Sequence, residues 1–278
     1  MSQLKISSLK GFEDINTDNF SDSFVPYLYL DGHRSSSIGS SDSERYDGGF
    51  KFFMRFIGIL KELGFRNLVT MVHTSRNCNV NGRVDSIHSA IQKNFNSLNG
   101  EMSSLDFKLY GDIEKYNSLG YQNFYNFLKS VEENSSRDSN FTNHILINYS
   151  EEWAINNLAK INLIPKISSV IRFTKGFVSG GWIPLKMQEA TFIYSQIPSI
   201  SDFWTDEAIT ALILISLKNW SMMTKYIGKK VYEEGEKETI HIERDIELKL
   251  FINKLDIKSH LKNRIIAFDI KGPIIYEL

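Results

Sequence analysis

Apolar residues in this chain come in short runs of two kinds, and the two kinds alternate. Phe24-Val-Pro-Tyr-Leu-Tyr-Leu30 is a continuous apolar stretch that stops at Asp31-Gly32, the pattern of a buried strand ending in a polar turn. A serine-rich stretch follows, and then Phe52, Phe53, Phe56, Ile57, Leu60 and Leu63 recur at helical spacing within 50–63. Asn67 to Val72 predicts a second buried strand, Val84 to Leu98 a helix, Phe107 to Tyr110 a short strand and Gly120 to Val131 a helix. After a polar loop over 132–143, His144 to Asn148 predicts a strand and Glu151 to Ile161 a helix. Ser169 to Arg172 is a further strand with a glycine-rich exit from Lys175 to Gly181. Ala190 to Tyr194 and Asp206 to Tyr226 close the series as a strand and a long apolar helix.

Strand and helix alternating at short intervals imply right-handed crossovers. The expected fold class is α/β, a mostly parallel central sheet flanked by helices. Residues 1–23 are polar and aperiodic and read as an N-terminal arm, 24–228 as the main domain, and 229–278 as a small C-terminal extension. That extension begins in the charged run Lys229 to Glu238 and ends in the apolar stretches Ile265 to Ile270 and Ile274 to Tyr276. No internal repeat suggests a solenoid.

Composition narrows the classes. The 278 residues are 42% hydrophobic and 23% charged, as in ordinary globular domains. Lys+Arg 32 against Asp+Glu 33 leaves no global basic field, so nucleic acid is not expected as a partner. The single Cys78 excludes an intrachain disulfide, argues against a cysteine-rich zinc site and fits a reducing, cytoplasmic setting. The first residues lead into polar sequence with no apolar signal region. Ala208 to Leu217, the longest candidate span, has only about half of the roughly 20 apolar residues a membrane helix needs. No transmembrane segment is expected, and peripheral membrane contact stays open. Glycine spacings match neither nicotinamide nor P-loop signatures.

In open parallel sheets, ligands bind outside the carboxyl ends of the strands. The residues leaving those ends are Asp31-Gly-His-Arg34, His73-Thr-Ser-Arg-Asn77, Asn148-Tyr149 and Arg172. Such a rim suits a diphosphate: arginines supply forked donors, serines and backbone N–H groups neutral ones, and Asp31 can hold Mg²⁺.

Strand-Asp31-Gly32-His33-Arg34 resembles the Asp-Gly-Asn-(Arg/Gly)-Arg-Trp signature of the cis-prenyltransferases, the undecaprenyl diphosphate synthase family. His73 to Asn77 sits where that family has Phe-Ser-x-Glu-Asn, and Gly111-Asp112 matches its Gly-Asp. Ile147-Asn-Tyr-Ser-Glu-Glu-Trp-Ala-Ile155 is similar to Asn-Tyr-Gly-Gly-Arg-x-(Asp/Glu)-Ile. Val170-Ile-Arg172 resembles the Ile-Arg-(Thr/Ser)-Gly-Gly-Glu segment, and Ser201-Asp202-Phe203 the late Trp-Pro-Asp-Phe. These similarities are collinear over roughly 24–205.

The resemblance implies a Mg²⁺-dependent enzyme of isoprenoid or terpenoid biosynthesis acting on prenyl diphosphates. Asp31 is then the metal ligand and catalytic carboxylate, and Asn77 orients or handles a proton. Gly32, His33, Arg34, Ser35 and Arg45 bind the allylic diphosphate, while Arg172, Lys175 and Ser179 bind a second one. The family's paired arginine falls at Ser35, its Asn at His33, its Trp at Ser36, and its late metal-binding Glu at Thr191, with Glu189 out of register. A one-residue shift would instead put Arg34 in that arginine's place. The second-diphosphate half is thus the more eroded, which favours irregular coupling or cyclisation over regular elongation. A homodimer pairing near 190–225 is also implied, and Trp182 is a tunnel-mouth or lid candidate. Two alternatives stand beside this: a non-catalytic cis-prenyltransferase-like partner subunit, and an unrelated phosphate-binding α/β protein.

Overall fold

The computed structural model describes residues 17–30, 42–78, 82–97, 105–136, 139–173, 181–195, 197–202, 204–224, 246, 265–269 and 272–275. The apolar runs of the main domain form parallel strands: β1 (Pro26–Tyr29), β2 (Asn67–Thr74), β3 (Asp106–Tyr110), β4 (Thr142–Tyr149), β5 (Ser169–Phe173) and β6 (Thr191–Ser195). Of two late strands, β7 (Ile265–Asp269) pairs antiparallel with β6 and β8 (Gly272–Ile275) antiparallel with β7. The order across the sheet is β3-β4-β2-β1-β5-β6-β7-β8. The switch point of the winding lies at β1, between β2 and β5.

Strands buried on both faces read as unbroken apolar runs, and alternate residues here serve two cores. Leu28, Leu68, Ile145 and Ile147 face one core, covered by α1 (Asp42–Glu62), α3 (Arg83–Ser97), α5 (Gln122–Glu133) and α8 (Asp206–Thr224). Tyr27, Val69, Met71, Leu146 and Val170 face the other, covered by α6 (Glu151–Asn156), α7 (Leu158–Ile161) and residues through Met187. Two short helices, α2 (Ser75–Cys78) and α4 (Glu114–Ser118), follow β2 and β3.

Differences from the sequence expectation have local causes. α1 starts at Asp42, upstream of Phe50, because its first turns carry polar residues that no apolar spacing marks. The helix expected over 151–161 breaks at Asn157, whose φ of −127° and ψ of 40° leave the helical region and whose Nδ2 donates to Trp153 O at 2.8 Å. A β-bulge beside His73 shifts the β2–β4 register at the rim, where bulges re-aim side chains. The expected boundary near 228 lies outside the described residues.

The segment expected to meet a second copy, 190–225, includes β6 and α8. β7 takes the outer edge of β6, and every residue from Ala208 to Leu217 of α8 is buried within one chain. Among the described residues, no helix is long and apolar enough to cross a membrane.

Candidate functional site

Asp31, Gly32, His33, Arg34, Ser35, Lys175 and Ser179 lie outside the described residues. Arg172, Asn77 and Arg45 are described, and all stand toward the carboxyl ends of the strands. Arg172, near the end of β5, is in register with Tyr29 of β1 and Tyr194 of β6. It is only 4% exposed, and its Cζ lies 4.0 Å from the centre of the Tyr29 ring. A buried guanidinium requires compensation, and an aromatic face supplies part of it. Asn77 sits in the single turn of α2 and Arg45 in the first turn of α1, both partly exposed.

Around Arg172 the phenols stay protonated. Burial pushes Tyr27 well above its ordinary value, Tyr29 and Tyr149 add to the shift, and Arg172 opposes it. Tyr194 is raised by burial against the same opposing guanidinium. Tyr149 is raised by burial and by Glu151. Protonated phenols donate, and two of them hold the exit of the glycine-rich segment: Tyr27 OH to Gly181 O at 2.9 Å, and Tyr149 OH to Trp182 O at 2.8 Å. Glu151 Oε1 accepts the backbone N–H groups of Gly181 and Trp182 at 3.0 and 3.2 Å. Gly181 has φ +83°, and a Cβ there would lie 2.4 Å from Tyr29 Cε2, so only glycine fits. Sequence reasoning assigned no role to Glu151 or these tyrosines. Glu151 does fall inside the Asn-Tyr motif quoted above, which was the available signal.

Trp182 corrects an expectation. Its ring stacks on Phe192 at 5.9 Å and 9°, and Phe192 packs with the core that α6 and α7 cover. The apolar cavity described below lies on the opposite face, so Trp182 does not form its mouth.

Two motif segments prove to be an interlock of the chain. Gly111, at φ +135°, crosses the end of β4 so closely that a Cβ would meet Ile147 O at 1.8 Å. Asn148, at φ 48°, donates from Nδ2 to Asp112 O at 2.6 Å, and Asp112 N donates to Asn148 O at 3.3 Å. The Gly-Asp and Asn-Tyr similarities thus have a structural cause. His73 is buried, with Nδ1 3.3 Å from Tyr116 OH. Thr191 begins β6, three positions before Tyr194 and so at the opposite end from Arg172. Its hydroxyl donates to Ser168 O at 3.4 Å, and Glu189 pairs with Lys166. Neither stands on the rim.

An apolar cavity of about 90 Å³ lies between the sheet and α1, α3 and α5. Leu30, Val72 and Ile147 line it at the rim, and Leu109 and Ile145 line it deeper. Tyr46, Phe50 and Phe53 close it from α1, Ile87 and Phe95 from α3, and Phe127 from α5. Leu30 immediately precedes Asp31, and Tyr46 immediately follows Arg45. A larger groove, about 970 Å³, follows β3, the outermost strand among the described residues, and is lined by side chains of both signs, among them Lys108, Lys129 and Glu133. There Glu132 accepts Leu109 N–H at 3.2 Å and satisfies an edge donor. The smaller cavity is the better site for an apolar substrate, since its lining offers almost no charge. No cluster of metal ligands occurs among the described residues.

Neither a protein-family model nor a curated protein matches this sequence. The fold does match solved structures. One is lavandulyl diphosphate synthase from Lavandula x intermedia in complex with dimethylallyl diphosphate, 16% identical, with TM-score 0.56 over 70% of this chain and 94% of that one. Another is a probable undecaprenyl diphosphate synthase from Campylobacter jejuni, 13% identical, with TM-score 0.51 over 68% of this chain and 93% of that one. The architecture is therefore that of an open α/β sheet with a switch point at β1. More narrowly, the chain has the cis-prenyltransferase fold.

Proposed function

We propose that this protein is a Mg²⁺-dependent enzyme of isoprenoid biosynthesis that ionises allylic prenyl diphosphates for condensation, irregular coupling or cyclisation. The observation that carries this is the position of the apolar cavity, which starts at Leu30 and Tyr46, the neighbours in sequence of Asp31 and Arg45. A hydrocarbon tail in that cavity leaves its charged head at the end where the chain runs on from Leu30 into Asp31 and from Tyr46 back to Arg45.

The donor set fits the ion. Mg²⁺ keeps several waters and takes one or two carboxylates plus phosphate oxygens, so Asp31 with a bound diphosphate is chemically sufficient. What bound Mg²⁺ supplies is neutralisation of charge on the departing diphosphate. Arg34 and Arg45 hold its oxygens with forked donors, helped by the backbone at Gly32 and the side chains of His33 and Ser35. The cavity wall holds the tail extended and keeps water from the allylic carbon. Asn77 orients the reacting groups. Arg172, with Lys175 and Ser179, grips a second diphosphate. Its stacking on Tyr29 fixes the guanidinium before substrate arrives, so little reorganisation accompanies binding.

The test is incubation of purified protein and Mg²⁺ with dimethylallyl, geranyl or farnesyl diphosphate, with and without isopentenyl diphosphate, followed by mass identification of products. Diphosphate release from one substrate alone means ionisation, and longer chains only with isopentenyl diphosphate mean elongation. Asp31→Ala is expected to lower turnover by about 10²-fold or more with the fold unchanged. Unchanged turnover refutes the assignment.

A second reading, a non-catalytic partner subunit, draws on the displacement of Thr191 and Glu189 from the rim. It predicts no turnover with any substrate pair, and stimulation of an active cis-prenyltransferase that survives Asp31→Ala.

A further inference from the structure

We infer that Glu151 is a positioning residue for the second diphosphate: it pins the backbone at Gly181 and Trp182 against the Tyr29 ring, and that ring carries the Arg172 guanidinium. In the proposed function, on which this rests, Arg172 grips that diphosphate; Glu151 is what keeps the grip in place.

The contacts start where β4 ends. Tyr149 closes the strand, Ser150 caps α6 by accepting Trp153 N–H at 3.1 Å, and Glu151 is the first helical residue. From there Glu151 Oε1 takes two backbone N–H groups far along the chain, Gly181 at 3.0 Å and Trp182 at 3.2 Å. The carbonyls of the same two residues accept from Tyr27 OH at 2.9 Å and from Tyr149 OH at 2.8 Å. Side chains of β1, β4 and α6 therefore hold both the donor and the acceptor of each residue. The shared acceptor is a carboxylate, which makes these bonds stronger than neutral ones.

What the clamp bears on is Tyr29. A Cβ at Gly181 would stand 2.4 Å from Tyr29 Cε2, so the Gly181 backbone lies directly on the ring edge. Arg172 occupies the ring face, its Cζ 4.0 Å from the centre, and is the strand partner of Tyr29. The Tyr27 ring stands 6.1 Å from the Tyr29 ring. Without the clamp the ring gains room to turn, and the guanidinium stacked on it loses its fixed direction. Forked donors depend on direction, and a misplacement of about 1 Å is enough to weaken them.

The sign of the effect separates positioning from charge. Glu151 is negative, so Coulomb's law alone makes its removal tighten the binding of an anion. Positioning predicts the reverse for any variant that loses the two hydrogen bonds. Glu151→Asp keeps the charge and shortens the reach, whereas Glu151→Gln keeps the reach and an oxygen acceptor without the charge.

The experiment is calorimetric titration of the full chain with isopentenyl diphosphate without Mg²⁺, so that the Asp31 half stays unloaded. It compares the wild type with Glu151→Ala, Glu151→Asp, Glu151→Gln, Tyr29→Leu, the Glu151→Ala/Tyr29→Leu pair and Arg172→Ala, each checked for folding by circular dichroism. Glu151→Ala is expected to bind about tenfold more weakly, with Glu151→Asp also weakened. Glu151→Gln is expected to bind at least as tightly as the wild type. In the Tyr29→Leu background, Glu151→Ala is expected to cost nothing more, because both changes act through one ring. If folded Glu151→Ala or Glu151→Asp binds as tightly as the wild type, or the paired losses simply add, the role of Glu151 is overturned and the proposed function stands. If the wild type does not bind isopentenyl diphosphate, or Arg172→Ala binds it equally well, the second-diphosphate site of the proposed function falls and this inference with it.

Discussion

Gly111 and Asn148 show how much of this rim is backbone engineering. Both hold positive φ, at 135° and 48°, and each keeps the chain against its neighbour's carbonyl. Gly111→Ala combines an unfavourable φ with a Cβ on Ile147 O, so a loss of at least about 2 kcal/mol is expected, read from the urea midpoint. The buried His144 gives a second residue-level expectation. Burial, reinforced by Lys108 and opposed by Asp106, lowers it to about 4 from its ordinary 6.5. Tyr110 OH, 3.0 Å from Nδ1, suits the neutral ring as acceptor. Between pH 6.5 and 4 the unfolded chain therefore holds a proton that the folded chain refuses. This contribution is flat above about pH 6.5 and costs stability as pH falls, by up to about 3 kcal/mol. Urea unfolding at pH 7 and pH 4.5 should show a smaller acid loss for His144→Gln than for the wild type. At this scale the sequence was half legible. The Gly-Asp and Asn-Tyr pairs were visible as motifs, but that they interlock with each other depends on β3 and β4 being neighbours.

Elements show which force holds the layers. α8 is tied to α1 by Arg55, whose Nε donates to Asp206 Oδ1 at 2.7 Å, yet both side chains are over 40% exposed. Such a pair is worth at most about 1 kcal/mol and weakens with salt. Leu212, fully buried in the same helix, has no such discount. Arg55→Met is expected to cost under about 1 kcal/mol and less at high salt, whereas Leu212→Ala should cost about 2–5 kcal/mol regardless of salt. Denaturant midpoints at two salt concentrations separate the two. Strand and helix identities were legible because apolar runs and helical spacing record burial directly. The start of α1 was not, since its first turns face the rim and carry polar residues. Trp182 was misjudged for a related reason: a position after two glycines says nothing about which sheet face the ring will take.

For the whole molecule, the late hairpin closes what the parallel sheet leaves open. β7 and β8 extend the sheet beyond β6, whose outer edge would otherwise expose a row of backbone donors and acceptors. Deleting 265–278 is expected to produce concentration-dependent self-association relative to the full chain, read by light scattering. A deletion variant that scatters like the full chain would remove that role from the hairpin. On the opposite edge, β3 is protected by its charged surroundings and by Glu132 instead.

Local chemistry in the sequence was enough to determine the alternating elements and the parallel sheet, because each follows from near neighbours in the chain. Tertiary structure alone decided which aromatics became cavity wall and which became core. Phe52 packs on Trp204 and Phe173, while its neighbour Phe53 lines the cavity. It also placed Arg172 on Tyr29 and joined Glu151 to Gly181 across thirty positions of chain. Contacts of that kind arise only when strands distant in sequence come into register, so no local pattern can record them.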